Sequence, residues 1–151
     1  MTRKRPVLDQ LNIVVRDMDA AVDFYRRLGI EIPETLPEWQ AHHRTAELGG
    51  EVDLDLDSTA FIPQWDAGWP ASRPGVVVGF RVATREDVDD LYEELTGAGH
   101  VGQQAPYDAF WGARYAIVED PSGNAVGLMS PVDPARRSRP TPPPAGTART
   151  R

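Results

Sequence analysis

The chain carries an imperfect copy of itself. Ile13, Val15, Ala21, Phe24, Tyr25 and Leu28 recur 67 positions later as Phe80, Val82, Val88, Leu91, Tyr92 and Leu95. Apolar matches that persist across two different periodicities constrain a fold more than any single motif. Each copy opens on an alternating run (Leu11, Ile13, Val15; Val78, Phe80, Val82) that reads as a half-buried strand. A polar turn and a helix start follow. In the second copy Thr84-Arg85-Glu86-Asp87 has the spacing of a capping box, with Asp in the usual Glu place. In the first, Asp17 or Asp19 can accept the orphan N–H groups of the first turn. Val88, Leu91, Tyr92 and Leu95 keep the i, i+3, i+4, i+7 spacing of an amphipathic helix. Gly29 and Gly97 stand where a helix ends in a left-handed residue.

After each helix the pattern returns to strands. Ala41–Leu48 and Glu51–Asp57 flank Gly49-Gly50, a two-residue hairpin signal, and the short Glu31-Ile32 stretch completes the first copy. In the second copy Val101–Ala105, Trp111–Glu119 and Ala125–Ser130 read as strands. The last two flank Asp120-Pro121-Ser122-Gly123-Asn124, in which Pro presets φ and Gly and Asn tolerate positive φ. The prediction is an α+β chain of two tandem βαβββ modules, residues 7–58 and 76–131, with a Pro-, Gly- and Trp-rich linker over 59–75. Residues 1–6 form a basic arm. Residues 132–151, with Pro140, Pro142, Pro143 and Pro144 among Arg136, Arg137, Arg139, Arg149 and Arg151, are predicted to be a disordered tail.

Composition narrows the function. A chain of 151 residues is long enough for one domain with its own core. The absence of cysteine excludes disulfides and thiolate metal sites, and only His42, His43 and His100 offer imidazole. A net charge of −7 argues against a nucleic-acid groove. No apolar run approaches the ~18–20 residues of a membrane span, and no apolar stretch follows the basic Met1–Arg5 as a secretory signal requires. The expectation is a cytoplasmic protein without nucleic-acid or membrane partners.

Leu11-Asn12-Ile13-Val14-Val15-Arg16-Asp17-Met18, Phe24-Tyr25-Arg26-Arg27-Leu28-Gly29, and Trp111-Gly112-Ala113-Arg114-Tyr115-Ala116 running into Asp120-Pro121-Ser122-Gly123-Asn124 together resemble the vicinal-oxygen-chelate superfamily. That superfamily includes glyoxalase I, fosfomycin-resistance proteins, extradiol dioxygenases and bleomycin-resistance proteins. The resemblance implies a mixed sheet curled around a ligand cavity, in a chain that is often a symmetric dimer. It also implies four metal-ligand positions, which here read Gln10, Asp55, Val77 and Gly127. Valine and glycine side chains offer no lone pair, and a catalytic divalent ion needs about three protein ligands. No metal or other cofactor is therefore expected. The alternative is a metal-dependent lyase or dioxygenase with displaced ligands that include His42 or His43; neighbours on a strand point to opposite faces, so one at most contributes. A further alternative is metal-free acid–base catalysis by Asp55 or one of those histidines.

Strand alternation puts Trp111, Ala113, Tyr115 and Ile117 on one face, which comparison with metal-binding relatives makes the cavity face. Trp39, Phe61, Trp65, Trp69, Tyr107 and Phe110 lie where loops can rim the same space; for Trp65 and Trp69, sealing the interface between modules is an equal reading. The alternation Glu51, Asp53, Asp55, Asp57 either lines the cavity, favouring cationic ligands, or keeps an edge strand wet. Gln10 and Asn12 share a face and can supply amides at the floor. The candidate ligand-binding set is Gln10, Asn12, Trp39, Asp55, Tyr107, Phe110, Trp111 and Tyr115. Within the superfamily the pattern is most similar to the metal-free bleomycin- and mitomycin-resistance branch. That similarity implies a homodimer that sequesters a planar aromatic natural product, neutral or cationic, without chemistry.

Overall fold

The computed structural model describes residues 3–71 and 73–144. Seven strands form one mixed sheet, with both helices on one side of it. In chain order these are β1 (Val7–Val15), α1 (Met18–Arg27), β2 (His43–Ala46), β3 (Asp53–Ser58), β4 (Gly75–Arg81), α2 (Arg85–Gly97), β5 (Gly102–Asp108), β6 (Arg114–Glu119) and β7 (Ala125–Met129). The sheet order is β2-β3-β1-β4-β7-β6-β5, an open sheet with β2 and β5 at its edges. The repeat explains this order. β1 pairs parallel with β3, β4 pairs parallel with β7, and the two opening strands meet antiparallel at the centre. Each half therefore builds outward from its own first strand. Among the described residues no helix is long and apolar enough to cross a membrane.

Period-two alternation assigns each side chain to a face. Leu11, Ile13, Leu54 and Leu56 pack with Met18 and Val22 of α1. Val82, Ala116 and Leu128 pack with Val88 of α2, flanked by Leu91, Tyr92 and Leu95. The opposite face carries a third cluster, including Val14, Val77, Tyr115, Ile117 and Ala125. Both helix starts are capped by the residue types expected. The Ala20 N–H donates to the Asp17 carboxylate at 3.0 Å, and the Asp87 N–H donates to Thr84 Oγ1 at 3.0 Å. Asp120 closes its turn by accepting from the backbone N–H groups of Ser122 and Asn124, both at 2.9 Å.

Several boundaries differ from the sequence reading. Glu31-Ile32 makes a single bridge, Glu31 to Glu47, rather than a strand. The β2–β3 connection runs over 47–52, wider than a two-residue turn at Gly49-Gly50, because the strands stop pairing at Ala46 and Leu54. β5 extends to Asp108 and includes Pro106, which an edge strand tolerates because one side of its backbone needs no partner. The left-handed residue after α2 is Gly99 (φ 99°) and not Gly97, which is the last helical residue. β6 starts at Arg114, so Trp111 lies in the preceding turn, where Gly112 adopts φ 97°.

The linker and the C-terminal segment are both packed against the sheet. In the 59–75 linker, Phe61, Ile62 and Trp65 are buried between the halves. Fully buried Asp66 accepts from the Gln103 side chain of β5, tying the linker to the far edge. The predicted disordered tail over 132–151 is, up to residue 144, laid against the domain. Pro134–Arg136 form a 3-10 turn, the Asp133 N–H donates to the Gly112 carbonyl at 3.0 Å, and the Ser138 N–H donates to the Phe110 carbonyl at 2.9 Å. The Gln64 amide donates to the Thr141 carbonyl at 2.9 Å. Residues 145–151 of that tail lie outside the described residues.

Candidate functional site

The face away from the helices holds a cavity of about 710 Å³. Its floor comes from the first half. Gln10 and Asn12 project from β1, Asp55 and Asp57 from β3, and His43 from β2, all on one face because their registers match: Asn12 opposes Asp55, and Asp57 opposes His43. Leu54 and Leu56 turn the other way into the α1 core, which forces the intervening carboxylates toward the cavity. The strand is internal, between β1 and β2, so its acids do not serve as edge protection.

These polar groups satisfy one another. The Gln10 amide donates to Asp55, and Asn12 Nδ2 donates to Asp57 Oδ2 at 2.9 Å. His43 Nδ1 lies 2.6 Å from the other oxygen of Asp57, a carboxylate only 1% exposed. Burial pushes the Asp55 carboxyl above its ordinary range, with His43 partly opposing this and Asp57 reinforcing it. For His43, burial works against protonation, but the hydrogen bond and charge of Asp57, together with the charge of Asp55, outweigh it and raise the imidazole. His42, on the opposite side, bonds Ser58 Oγ at 3.0 Å and is lowered by burial.

The walls are aromatic. Trp39, Phe61, Trp65, Phe110, Trp111 and Tyr115 line the cavity. They form a chain of edge-on and tilted pairs: Trp39–Phe61 at 5.1 Å, Phe61–Phe110 at 6.0 Å, Phe110–Trp111 at 5.0 Å and Trp111–Tyr115 at 5.0 Å between ring centres. The lining also takes in Thr35, Leu36 and Glu38, together with Arg139, Pro140 and Pro142 of the C-terminal strap.

Of the candidate set, Gln10, Asn12, Trp39, Asp55, Phe110, Trp111 and Tyr115 come together here. Tyr107 does not. It packs behind Tyr115, and its hydroxyl donates to the Trp65 carbonyl at 3.0 Å, because the 59–75 segment covers that edge of the sheet. The lining residues outside the set include Asp57, His43 and Arg139. Asp57 was visible in the acidic alternation. His43 was one of two adjacent histidines whose facing the sequence leaves open. Arg139 stood in a segment with no periodicity to place it.

The four metal-ligand positions do not make a metal site. Val77 is fully buried in the apolar cluster. At Gly127 a side chain would meet the Tyr115 phenol: a Cβ there would stand 2.8 Å from its oxygen. Gln10 and Asp55 remain, already hydrogen-bonded to each other. Among the described residues no three His, Asp or Glu side chains gather as a metal cluster.

The profile of the Glyoxalase/Bleomycin resistance protein/Dioxygenase superfamily matches residues 7–128. An uncharacterized protein of Mycobacterium bovis is 30% identical over 127 residues, covering 80% of this chain and 81% of its own. Among solved structures, the Mn(II)-bound glyoxalase from Novosphingobium aromaticivorans superposes with a TM-score of 0.59 at 19% identity, over 86% of this chain and 40% of that one. Methylmalonyl-CoA epimerase from Mycobacterium tuberculosis superposes with a TM-score of 0.53 at 22% identity, over 83% of this chain and 88% of its own. At these identities the structural likenesses speak to the fold alone.

Proposed function

The chain belongs to the glyoxalase/bleomycin resistance protein/dioxygenase superfamily, and on that premise we propose that it is a metal-free binding protein for a planar aromatic ligand, neutral or cationic. The observation that carries this reading is the meeting, in one cavity, of a continuous aromatic wall with a floor of paired carboxylates and amides. A volume of about 710 Å³ suits a drug-sized molecule. Each stacked ring contributes ~0.5–1.5 kcal/mol beyond burial. Carboxylates in a partly dry site favour cations and N–H donors and repel phosphates and carboxylates. Val77 and Gly127 remove two of the donors that chelation in this family needs, which favours holding a ligand over metal-dependent turnover.

The proposal includes a cytoplasmic homodimer with two equivalent pockets, checked by sedimentation. Titration with mitomycin-like and bleomycin-like compounds, followed through tryptophan emission, tests the binding itself. Expected is saturable quenching with ligand recovered at unchanged mass. A flat response across such planar compounds would remove the reading. One observation supports a second reading, acid–base catalysis: Asp57 orients His43 through Nδ1 and leaves its other ring nitrogen with only a 3.4 Å contact to Thr45 Oγ1. A bound ligand recovered with altered mass or isomeric form would favour that alternative over sequestration.

A further inference from the structure

One phenol of the cavity wall stands apart from the polar network of the floor. Tyr115 is only 4% exposed and lines the cavity, yet among the described residues nothing hydrogen-bonds its hydroxyl. The carboxylates and the second phenol near it are engaged: Asp57 by Asn12 and His43, Asp55 by Gln10, and the neighbouring Tyr107 hydroxyl by the Trp65 carbonyl. The hydroxyl of a cavity-lining tyrosine can give its hydrogen to a ligand atom. Desolvation and the nearby Tyr107, Asp66 and Asp57 raise the phenol well above its ordinary range, so it is protonated and has a hydrogen to donate.

Its position is specified by the sheet. Tyr115 reaches across to Gly127, where any side chain would collide with its oxygen and ring. Ile117, Gly127, Gly79 and Gln10 form one row across β6, β7, β4 and β1, so the phenol lies over the row that ends in the floor amide. The two glycines clear that row of side chains.

Resting on the binding reading above, we propose that the Tyr115 hydroxyl is the donor that receives a carbonyl-type oxygen of the ligand, while the Asp55–Asp57–His43 side of the floor takes an N–H or O–H group at its other end. The ligand class is then a planar conjugated carbonyl compound bearing an amino or hydroxyl group. Tyr115 and the floor come from opposite halves of the sheet, so the two polar ends of the ligand would bridge the two modules.

Equilibrium dialysis with three rigid probes tests this: aminofluorenone, which has both groups, fluorenone, which lacks the amine, and aminofluorene, which lacks the carbonyl. Tyr115→Phe keeps the ring. It is expected to weaken aminofluorenone and fluorenone about five- to tenfold, the worth of one hydrogen bond, and to leave aminofluorene within about twofold. Gly127→Ala, which crowds the hydroxyl, is expected to give the same pattern. Asp55→Asn is expected to weaken only the two amines. Equal weakening of all three probes by Tyr115→Phe, or no weakening of fluorenone, would overturn the role given to the hydroxyl while leaving the pocket intact. Failure of the wild-type protein to hold any of the three would instead overturn the binding reading on which the role rests.

Discussion

On the helix face, the two halves of the sheet do the same thing with the same kinds of residue. α1 sits on Leu54 and Leu56 behind an Asp17 cap; α2 sits on Ala116 and Leu128 behind a Thr84 cap. On the cavity face they diverge. Where the first half places Gln10, Asn12, Asp55 and Asp57, the second places Val77, Gly127, Ile117 and Tyr115. The repeat has kept what holds the fold and divided what lines the cavity: the first half supplies the carboxylates and amides, the second Phe110, Trp111 and Tyr115. Phe61, from the segment between them, touches both, packing on Trp39 and His43 on one side and Phe110 on the other.

Phe61→Ala attacks that junction and carries the largest expected effect. Phe61 is 4% exposed, and its removal is expected to cost about 3–5 kcal/mol in a denaturant titration and to abolish ligand quenching. Asp57→Ala strikes the polar half alone. It leaves the Asn12 amide without its acceptor and His43 without its Nδ1 partner, and an expected loss of about 2–3 kcal/mol should appear as a lower urea midpoint. Asp17→Ala and Thr84→Ala probe the shared face. Each is expected to cost about 1 kcal/mol, and equal values in thermal unfolding would show the helix faces to be equivalent. Unequal values would mean that the halves differ there too.

Asp55→Asn is expected to give the smallest change, opposite in sign. The folded carboxyl is raised above its unfolded value, so wild-type stability falls as pH climbs through the window above about pH 4. The amide lacks that penalty. The variant is expected to match wild type in acid and to gain on it toward neutral pH, with unfolding curves taken across that range as the check. A gain confined to acid would contradict the assignment of Asp55 to a desolvated floor.

Much of the architecture was legible because it rests on local rules. The 67-residue repeat placed both opening strands and both helices. The alternation of Leu54 and Leu56 with Asp55 and Asp57 fixed which side chains turn away from the core. What the sequence could not show depends on the chain folding back over distance. Tyr107 has the right face and the wrong neighbour, since the 59–75 segment lies between it and the cavity. The strap up to residue 144 has no apolar period; its place is set by backbone bonds to Gly112 and Phe110, and a Cβ at Gly112 would fall 2.3 Å from the Asp133 carbonyl. His42 and His43 differ by one position, and only the pairing of His43 with Asp57 decides which meets the cavity. The place of the Tyr115 hydroxyl is likewise invisible until Gly127 is placed beneath it.

The most direct test of a metal-free pocket is calorimetric titration of aminofluorenone into protein stripped with a chelator, repeated after adding Mn, Ni or Zn. Expected is one saturable site per chain in the stripped protein, with affinity unchanged by any of the metals. Binding that appears only when a divalent ion is restored would contradict the central claim.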